Sequence, residues 1–180
     1  MSLMNQNDLL LDKLMIYYDE DNLKKMLSII NGQSHISLRI IDWFTTNYAK
    51  KNYTVFSNKY NIRFNVYEQY KLKLKAFKKE RFDPFCRWER INIPYNDNTE
   101  IQTTIGQLNF FRWALENKIL DYIEKNMDAI NNDMNKRNST SKKKKNTKEK
   151  VKTRKKREEL SVSASKSIKK EVIEIVVDFK

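Results

Sequence analysis

The stretch FDPFCRWERI, Phe82 to Ile91, places a cysteine, two arginines, two carboxylates and a tryptophan within ten residues. Residues of these types could do three kinds of chemistry. Cys86 could attack as a nucleophile, but the reactive species is the thiolate, which needs a nearby base or a strongly electropositive setting. His35 is the only histidine and lies 51 residues upstream. Asp83 and Glu89 could exchange protons as an acid–base pair. Arg87 and Arg90 could hold an external phosphate. The plainer alternative is structural. A cysteine flanked by Phe85 and Trp88 fits a buried thiol. Asp83, kept extended or in a turn by Pro84, would then hold Arg87 in an internal ion pair.

Several classes of site are not supported. One cysteine permits no intrachain disulfide, and one cysteine with one histidine gives neither CxxC nor HExxH spacing, so no metal is expected. Gly32 and Gly106 lie 74 positions apart and cannot build a glycine-rich phosphate loop. The expectation is a protein that is not an enzyme, with no catalytic residues, no cofactor and no small-molecule substrate. The N-terminal MSLMNQNDLLLDKLMIYY lacks a basic leading region and is interrupted by Asp8, Asp12 and Lys13, so it does not read as a signal peptide. No run approaches 18 apolar residues, and no membrane span is expected.

The net charge of +13 is unevenly placed. Residues 1–135 carry 19 Lys+Arg against 17 Asp+Glu, residues 136–157 carry 13 against 1, and residues 158–180 carry 4 against 5. A nearly neutral body thus bears a concentrated cationic segment. Lys142, Lys143, Lys144, Lys145, Arg154, Lys155, Lys156 and Arg157 are its densest members and the first candidates for contact with nucleic acid. Such contacts neutralise phosphates and carry no base-reading code, so binding would be indifferent to sequence. No aromatic residue interrupts the segment, which leaves out base stacking. A nuclear import signal, a solubilising tail, or attraction to an acidic protein or membrane surface fits the same residues. A second cluster, Lys71, Lys73 and Lys75 with Lys78, Lys79 and Arg81, stands beside Tyr67, Tyr70 and Phe77. It is either a groove for a polyanion, to which Arg87 and Arg90 could add, or a solvated face.

The elements that must position these residues follow from periodicity. Apolar residues at helical spacing predict one helix after Asn7, a second capped by Asp21 and ended at Gly32, and a third from near Ser34 to about Lys50. Tyr53–Ser57 reads as a strand. Residues 64–77 fit two patterns. The alternation of Leu72, Leu74 and Ala76 with Lys71, Lys73 and Lys75 favours a strand paired with 53–57, whereas Tyr67, Tyr70, Leu74 and Phe77 also make a helical stripe. Glu89–Tyr95 reads as a strand ended by Pro94. A helix begins at Thr103 or Thr104, and Asn117 separates it from a second stripe through Ile119, Ile123, Met127 and Ile130. Asn109 and Arg112 could anchor the first of these to the FDPFCR segment. The fold class expected is α+β, a mostly helical single domain over 1–135 with a small antiparallel sheet. A disordered Lys/Arg-rich linker, 136–170, follows because its composition cannot offset the cost of ordering the chain. The β-prone 171–180, EVIEIVVDFK, would either fold back as an edge strand or dock on a partner's sheet.

Three blocks carry a resemblance: SLRIIDWFTTNYAKKN, FNVYEQYKLKLKAFKKERFDPFCRWERI and TTIGQLNFFRWALENKILDYI. They resemble an uncharacterised protein family of nucleocytoplasmic large DNA viruses, of the mimivirus and iridovirus type, over roughly residues 36–125. FDPFCR and GQLNFFRWA are the most specific parts. The family has no established activity, so the resemblance implies no catalytic residues. It does imply a viral protein of the host cytoplasm, in virus factories, or of the virion, with a nuclear phase open. Two roles follow as expectations. One is electrostatic binding of nucleic acid through the basic tail, with the body as an interaction module. The other is a structural or capsid-associated virion protein that docks a viral partner through 171–180.

Overall fold

The computed structural model describes residues 6–96, 99–145 and 170–172. In chain order, helices α1 (Gln6–Tyr17) and α2 (Glu20–Ile30) form a hairpin, followed by α3 (Leu38–Trp43), a π-helical segment (Phe44–Tyr48) and the short α4 (Ala49–Lys51). Strands β1 (Val55–Ser57) and β2 (Arg63–Asn65) lead into α5 (Val66–Phe77). Strands β3 (Ile91–Asn96) and β4 (Thr99–Thr103) precede α6 (Ile105–Glu116), α7 (Ile119–Lys125), α8 (Met127–Lys145) and β5 (Lys170–Val172). The protein is α+β and mostly helical, and the described residues form two small antiparallel sheets rather than one: β1–β2, and β3–β4–β5.

Helix α6 is the centre of the fold. Almost every residue from Gly106 to Ala114 is buried, polar ones included. A helix buried this fully needs internal partners for its polar groups, and among the described residues α6 finds them for Gln107 and Asn109 but not for Trp113 Nε1. Gln107 Nε2 donates to the Pro84 carbonyl at 3.0 Å, and its Oε1 accepts from Thr103 Oγ1 at 2.9 Å. Asn109 Nδ2 donates to the Arg81 carbonyl at 2.8 Å. Tyr18 reaches in from the α1–α2 corner, its hydroxyl donating to the Leu108 carbonyl at 2.6 Å. Burial pushes the ionisation of that hydroxyl well above its usual range. Around these bonds lies a continuous aromatic cluster of Phe64, Tyr70, Phe82, Phe110 and Trp113.

Local chemistry sets the helix ends. Asp19, not Asp21, caps α2, its side chain accepting from the Asn22 amide. Asp21 falls inside the first turn, where its charge still complements the helix dipole. Ser37, not Ser34, caps α3, and Ser34 Oγ instead accepts from the Ile36 amide. Asn7 lies within α1 and does not cap it. Gly32, at φ 72°, stands just past the C-cap Asn31, where a left-handed turn is needed. Thr104 caps α6 by accepting from the Gln107 amide. Asn117 ends α6 as expected, although the left-handed residue is its neighbour Lys118, at φ 55°.

The expected strand over 64–77 is a helix. Only Arg63–Asn65 pairs with β1, and Asn65 then caps α5 by accepting from the Glu68 amide. The stripe of Val66, Tyr67, Tyr70 and Phe77 faces the core, which is the 3.6-residue pattern. The lysines that suggested alternation are long amphipathic side chains tolerated on several faces of a helix. Strand β4 was not expected. It pairs Ile101 with Ile93 and Thr103 with Ile91, and both isoleucines Ile93 and Ile101 are buried. Helix α8 carries through residues 136–145, the first part of the expected disordered linker. A helix already nucleated on the body propagates without needing further apolar burial. Residues 146–169 and 173–180 lie outside the described residues. Of the C-terminal segment, Lys170–Val172 pairs antiparallel with β4 as an edge strand.

Gly106 is small for a packing reason. A Cβ there would lie 2.8 Å from the Glu80 carbonyl oxygen and 3.3 Å from the Phe82 amide nitrogen, both backbone atoms. Gly106→Ala must push α6 away from the 80–82 segment. It should cost about 1–3 kcal/mol in chemical denaturation, the usual cost of overpacking. A loss under about 0.5 kcal/mol, no more than an ordinary surface change, would show that the 80–82 backbone gives way freely.

Candidate functional site

The FDPFCR segment is a loop that is buried from Phe82 to Cys86 and exposed at Arg87. Asp83 is 3% exposed. Its carboxylate accepts from Arg87 Nε at 2.7 Å and Nη2 at 2.8 Å, a bidentate pair, and from the Phe85 amide at 3.2 Å. The Asp83 amide donates to the Gly106 carbonyl, which ties the loop to α6. The Arg87 guanidinium also lies over the Phe85 ring at 4.9 Å. A phosphate that displaced Asp83 would leave that carboxylate buried and unpaired, which is costly, although the Arg87 side chain is 36% exposed and has donors beyond the two that Asp83 uses. Arg90 is exposed and donates to Gln102 Oε1 on β4 at 3.1 Å. Cys86 is buried, whereas His35 is exposed ahead of α3. Among the described residues, no group of three or more Cys, His, Asp or Glu side chains could hold a metal ion.

The α5 lysines do not form one row. Lys71 and Lys75, one helical turn apart, lie on one face of the helix. Lys71 lies over the Tyr67 ring, which Lys50 approaches from α4. Lys73 points elsewhere, half-buried beside the Phe77 ring. The structure therefore separates Lys71 and Lys75 from Lys73. Of the α5 lysines expected to bind together, only Lys71 and Lys75 share a face.

The basic segment starts on an anchored helix. Ile130 and Met134 of α8 are buried. Between them in sequence, Asp133 accepts from Trp43 Nε1 at 3.1 Å and from Lys51 Nζ at 2.7 Å. Arg137 lies over the same Trp43 ring at 5.7 Å. Lys142, Lys143, Lys144 and Lys145 are the last residues of α8, while Arg154, Lys155, Lys156 and Arg157 lie outside the described residues. Burial opposes the Asp133 charge, but the hydrogen bonds from Lys51 and Trp43 outweigh it and hold the carboxyl below its usual range. A depressed carboxyl contributes stability that is full above about pH 4, the unfolded value, and is lost as pH falls through the lower folded value. Asp133→Asn should therefore cost about 1–2 kcal/mol at neutral pH. It should also speed amide hydrogen exchange across α8 and flatten the acid limb of the stability curve. An unchanged exchange pattern would show that Ile130 and Met134 hold α8 alone.

Sequence reasoning missed the clasp made by Tyr18 and Gln107. Gln107 had a signal: a polar residue inside the apolar run IGQLNFF must find buried partners. The expectation that Asn109 and Arg112 anchor α6 to the FDPFCR region is half right. Asn109 does so through the Arg81 carbonyl, but Arg112 binds Glu116 at 3.1 Å and the Lys13 carbonyl at 3.3 Å.

No helix among the described residues is long and apolar enough to cross a membrane. No solved structure matches the chain. An uncharacterised protein of Acanthamoeba polyphaga mimivirus, designated L507, is 46% identical over 110 residues, which cover 57% of this chain and 42% of that protein. The chain thus spans less than half the length of this relative. The kinship with large DNA viruses implied by the three sequence blocks is borne out. The profile of a family of unknown function, DUF7197, matches residues 3–180, and the chain belongs to that family.

Proposed function

We propose that this is a non-enzymatic viral protein that binds nucleic acid electrostatically, without sequence preference, through the basic segment 136–157. The folded body would serve as an interaction module. One observation carries the reading: 13 of the 36 basic residues fall within 22 positions opposed by one acid, while the body is nearly balanced. The body's strongest basic candidate is partly neutralised, since Arg87 pairs with Asp83. Anchoring of α8 by Asp133 fixes the origin of the cationic segment on the body. Activity in a virus factory, in the virion or in the nucleus is compatible with such binding. The test is a gel shift with the intact protein at about 50 mM salt, where counterion-release binding is strong, using several unrelated duplexes and RNAs. Comparable shifts with all of them support the reading, and no shift with any overturns it.

A second reading has its own support. Lys170–Val172 forms a strand on the β4 edge, so the C-terminal segment is competent to add to a sheet. A capsid-associated protein could use that property on a partner. Pull-down from infected cells with and without residues 171–180 separates the two readings, because loss of a virion protein on truncation supports the second.

A further inference from the structure

Three helices and the segment after α5 border a half-open surface cavity of about 440 Å³. Helix α1 contributes Leu9, Leu10 and Lys13, which recur at the spacing of one helix face. Helix α5 contributes Lys73 and Phe77, one turn apart, and Arg81 follows at the rim. Helix α6 contributes Arg112, Trp113 and Glu116. Faces at this spacing are ordinarily apolar and closed against one another. Here α1 and α6 touch, Arg112 donating to the Lys13 carbonyl, and the space beside them and α5 is lined by cations set among aliphatic and aromatic side chains.

The charges are unbalanced. Arg112 is neutralised by Glu116, its own i+4 neighbour, and is further fixed by the Lys13 carbonyl and the Tyr17 ring at 5.3 Å. Arg81 donates to a neutral acceptor, Gln6 Oε1, at 3.1 Å. Among the described residues, neither Lys13, Lys73 nor Arg81 is paired with a carboxylate. Three uncompensated cations around one concavity focus a positive potential into it. Phe77, Leu10 and Trp113 supply an apolar wall beside them. Its volume is that of a small-ligand site, which is typically about 300–1,000 Å³ with mostly apolar walls and a few polar groups that fix orientation.

We propose that this cavity binds a mononucleotide, with the phosphate at Lys13, Lys73 and Arg81 and the base against the Phe77 side. A bare phosphate would leave the apolar wall unused, and a purely apolar ligand would leave three cations without a counter-charge. The site is independent of the basic segment 136–157, and neither proposal rests on the other.

Calorimetric titration of the full chain at about 0.15 M salt, where long-range attraction is screened, tests it. The probes are AMP and UMP, with adenosine, uridine and inorganic phosphate as controls. Lys13→Gln/Lys73→Gln removes two cations that no carboxylate holds among the described residues, so the fold should persist, as circular dichroism will check. The expected result is saturable one-to-one binding of at least one nucleotide. Its nucleoside and phosphate alone should each be about tenfold weaker or worse, the weight of one charge-assisted contact. The double variant should lose about tenfold or more, while glutamine at Lys142–Lys145 and Arg154–Arg157 leaves the affinity unchanged. The proposal is overturned if neither nucleotide saturates at millimolar concentration, if nucleoside or phosphate binds as well as nucleotide, or if only the tail variant loses affinity.

Discussion

Glutamine at Lys142, Lys143, Lys144, Lys145, Arg154, Lys155, Lys156 and Arg157 should weaken duplex DNA binding and flatten its salt dependence together. The link between the two effects is physical. Each neutralised phosphate releases condensed counterions, so log K falls against log salt with a slope of about −0.9 per contact. If 6–10 of the cations in 136–157 reach phosphates, affinity drops roughly 10³–10⁵-fold between about 50 and 200 mM salt. The substitutions remove eight of thirteen cations. A proportional fall in the number of neutralised phosphates would shrink the salt effect over the same range to roughly 10–10²-fold. Fluorescence anisotropy across a salt series measures both quantities. A variant with unchanged slope would place binding elsewhere and sink the tail reading. Lys71→Gln/Lys75→Gln is the internal comparison, because those two body candidates share one face of α5. Its slope should change by at most the value of two phosphates, near ~1.8.

How much of this was legible in the residues depends on which physical quantity they encode. The aromatic and aliphatic stripe of α6 was readable because its burial is nearly complete, and its Thr104 cap follows from side-chain chemistry alone. Helix α5 was misread because Lys71, Lys73 and Lys75 alternate with Leu72, Leu74 and Ala76, a pattern of period two. Its packing runs along Val66, Tyr70 and Phe77, and Leu72 is largely exposed. Strand β4 was hidden since Pro94 suggested an end where the chain instead has a register shift and turns back. Nothing in the periodicity marks the π-helical Phe44–Tyr48. There the Thr45 and Thr46 hydroxyls bond to the Ile41 and Asp42 carbonyls, a local competition that widens the turn. The cavity was beyond reach for a different reason. Lys13, Arg81 and Glu116 are distant in sequence, and only tertiary packing brings them to one rim. Composition isolated the cationic segment, but it speaks to burial and not to local helix, so it could not foresee α8 running to Lys145.

Phe82→Ala should be the most damaging single truncation, at about 3–5 kcal/mol. Phe82 opens the FDPFCR block, whose residue types first suggested reactive chemistry, and it is 1% exposed. Its ring lies 5.2 Å from Phe110, 5.4 Å from Trp113 and 5.9 Å from Tyr70, so one residue joins the loop, α6 and α5. Truncation removes that apolar area, forfeits ring–ring interactions of about 0.5–1.5 kcal/mol each, and leaves a void between elements that cannot all close inward. The neighbouring backbone bonds resist collapse, since the Asp83 amide and the Arg81 carbonyl are both fixed to α6. For a body of this size the midpoint of thermal unfolding should fall by roughly 10–20 °C. Phe82→Leu, which keeps most of the volume, should fall much less. Cys86 gives a second readout, because it is buried four residues away in the same loop. Its thiol should react slowly with an aromatic disulfide reagent in the parent and much faster in Phe82→Ala, through local opening of the loop. Fast reaction in the parent would instead mean that the loop opens freely, and would return Cys86 to consideration as a reactive thiol.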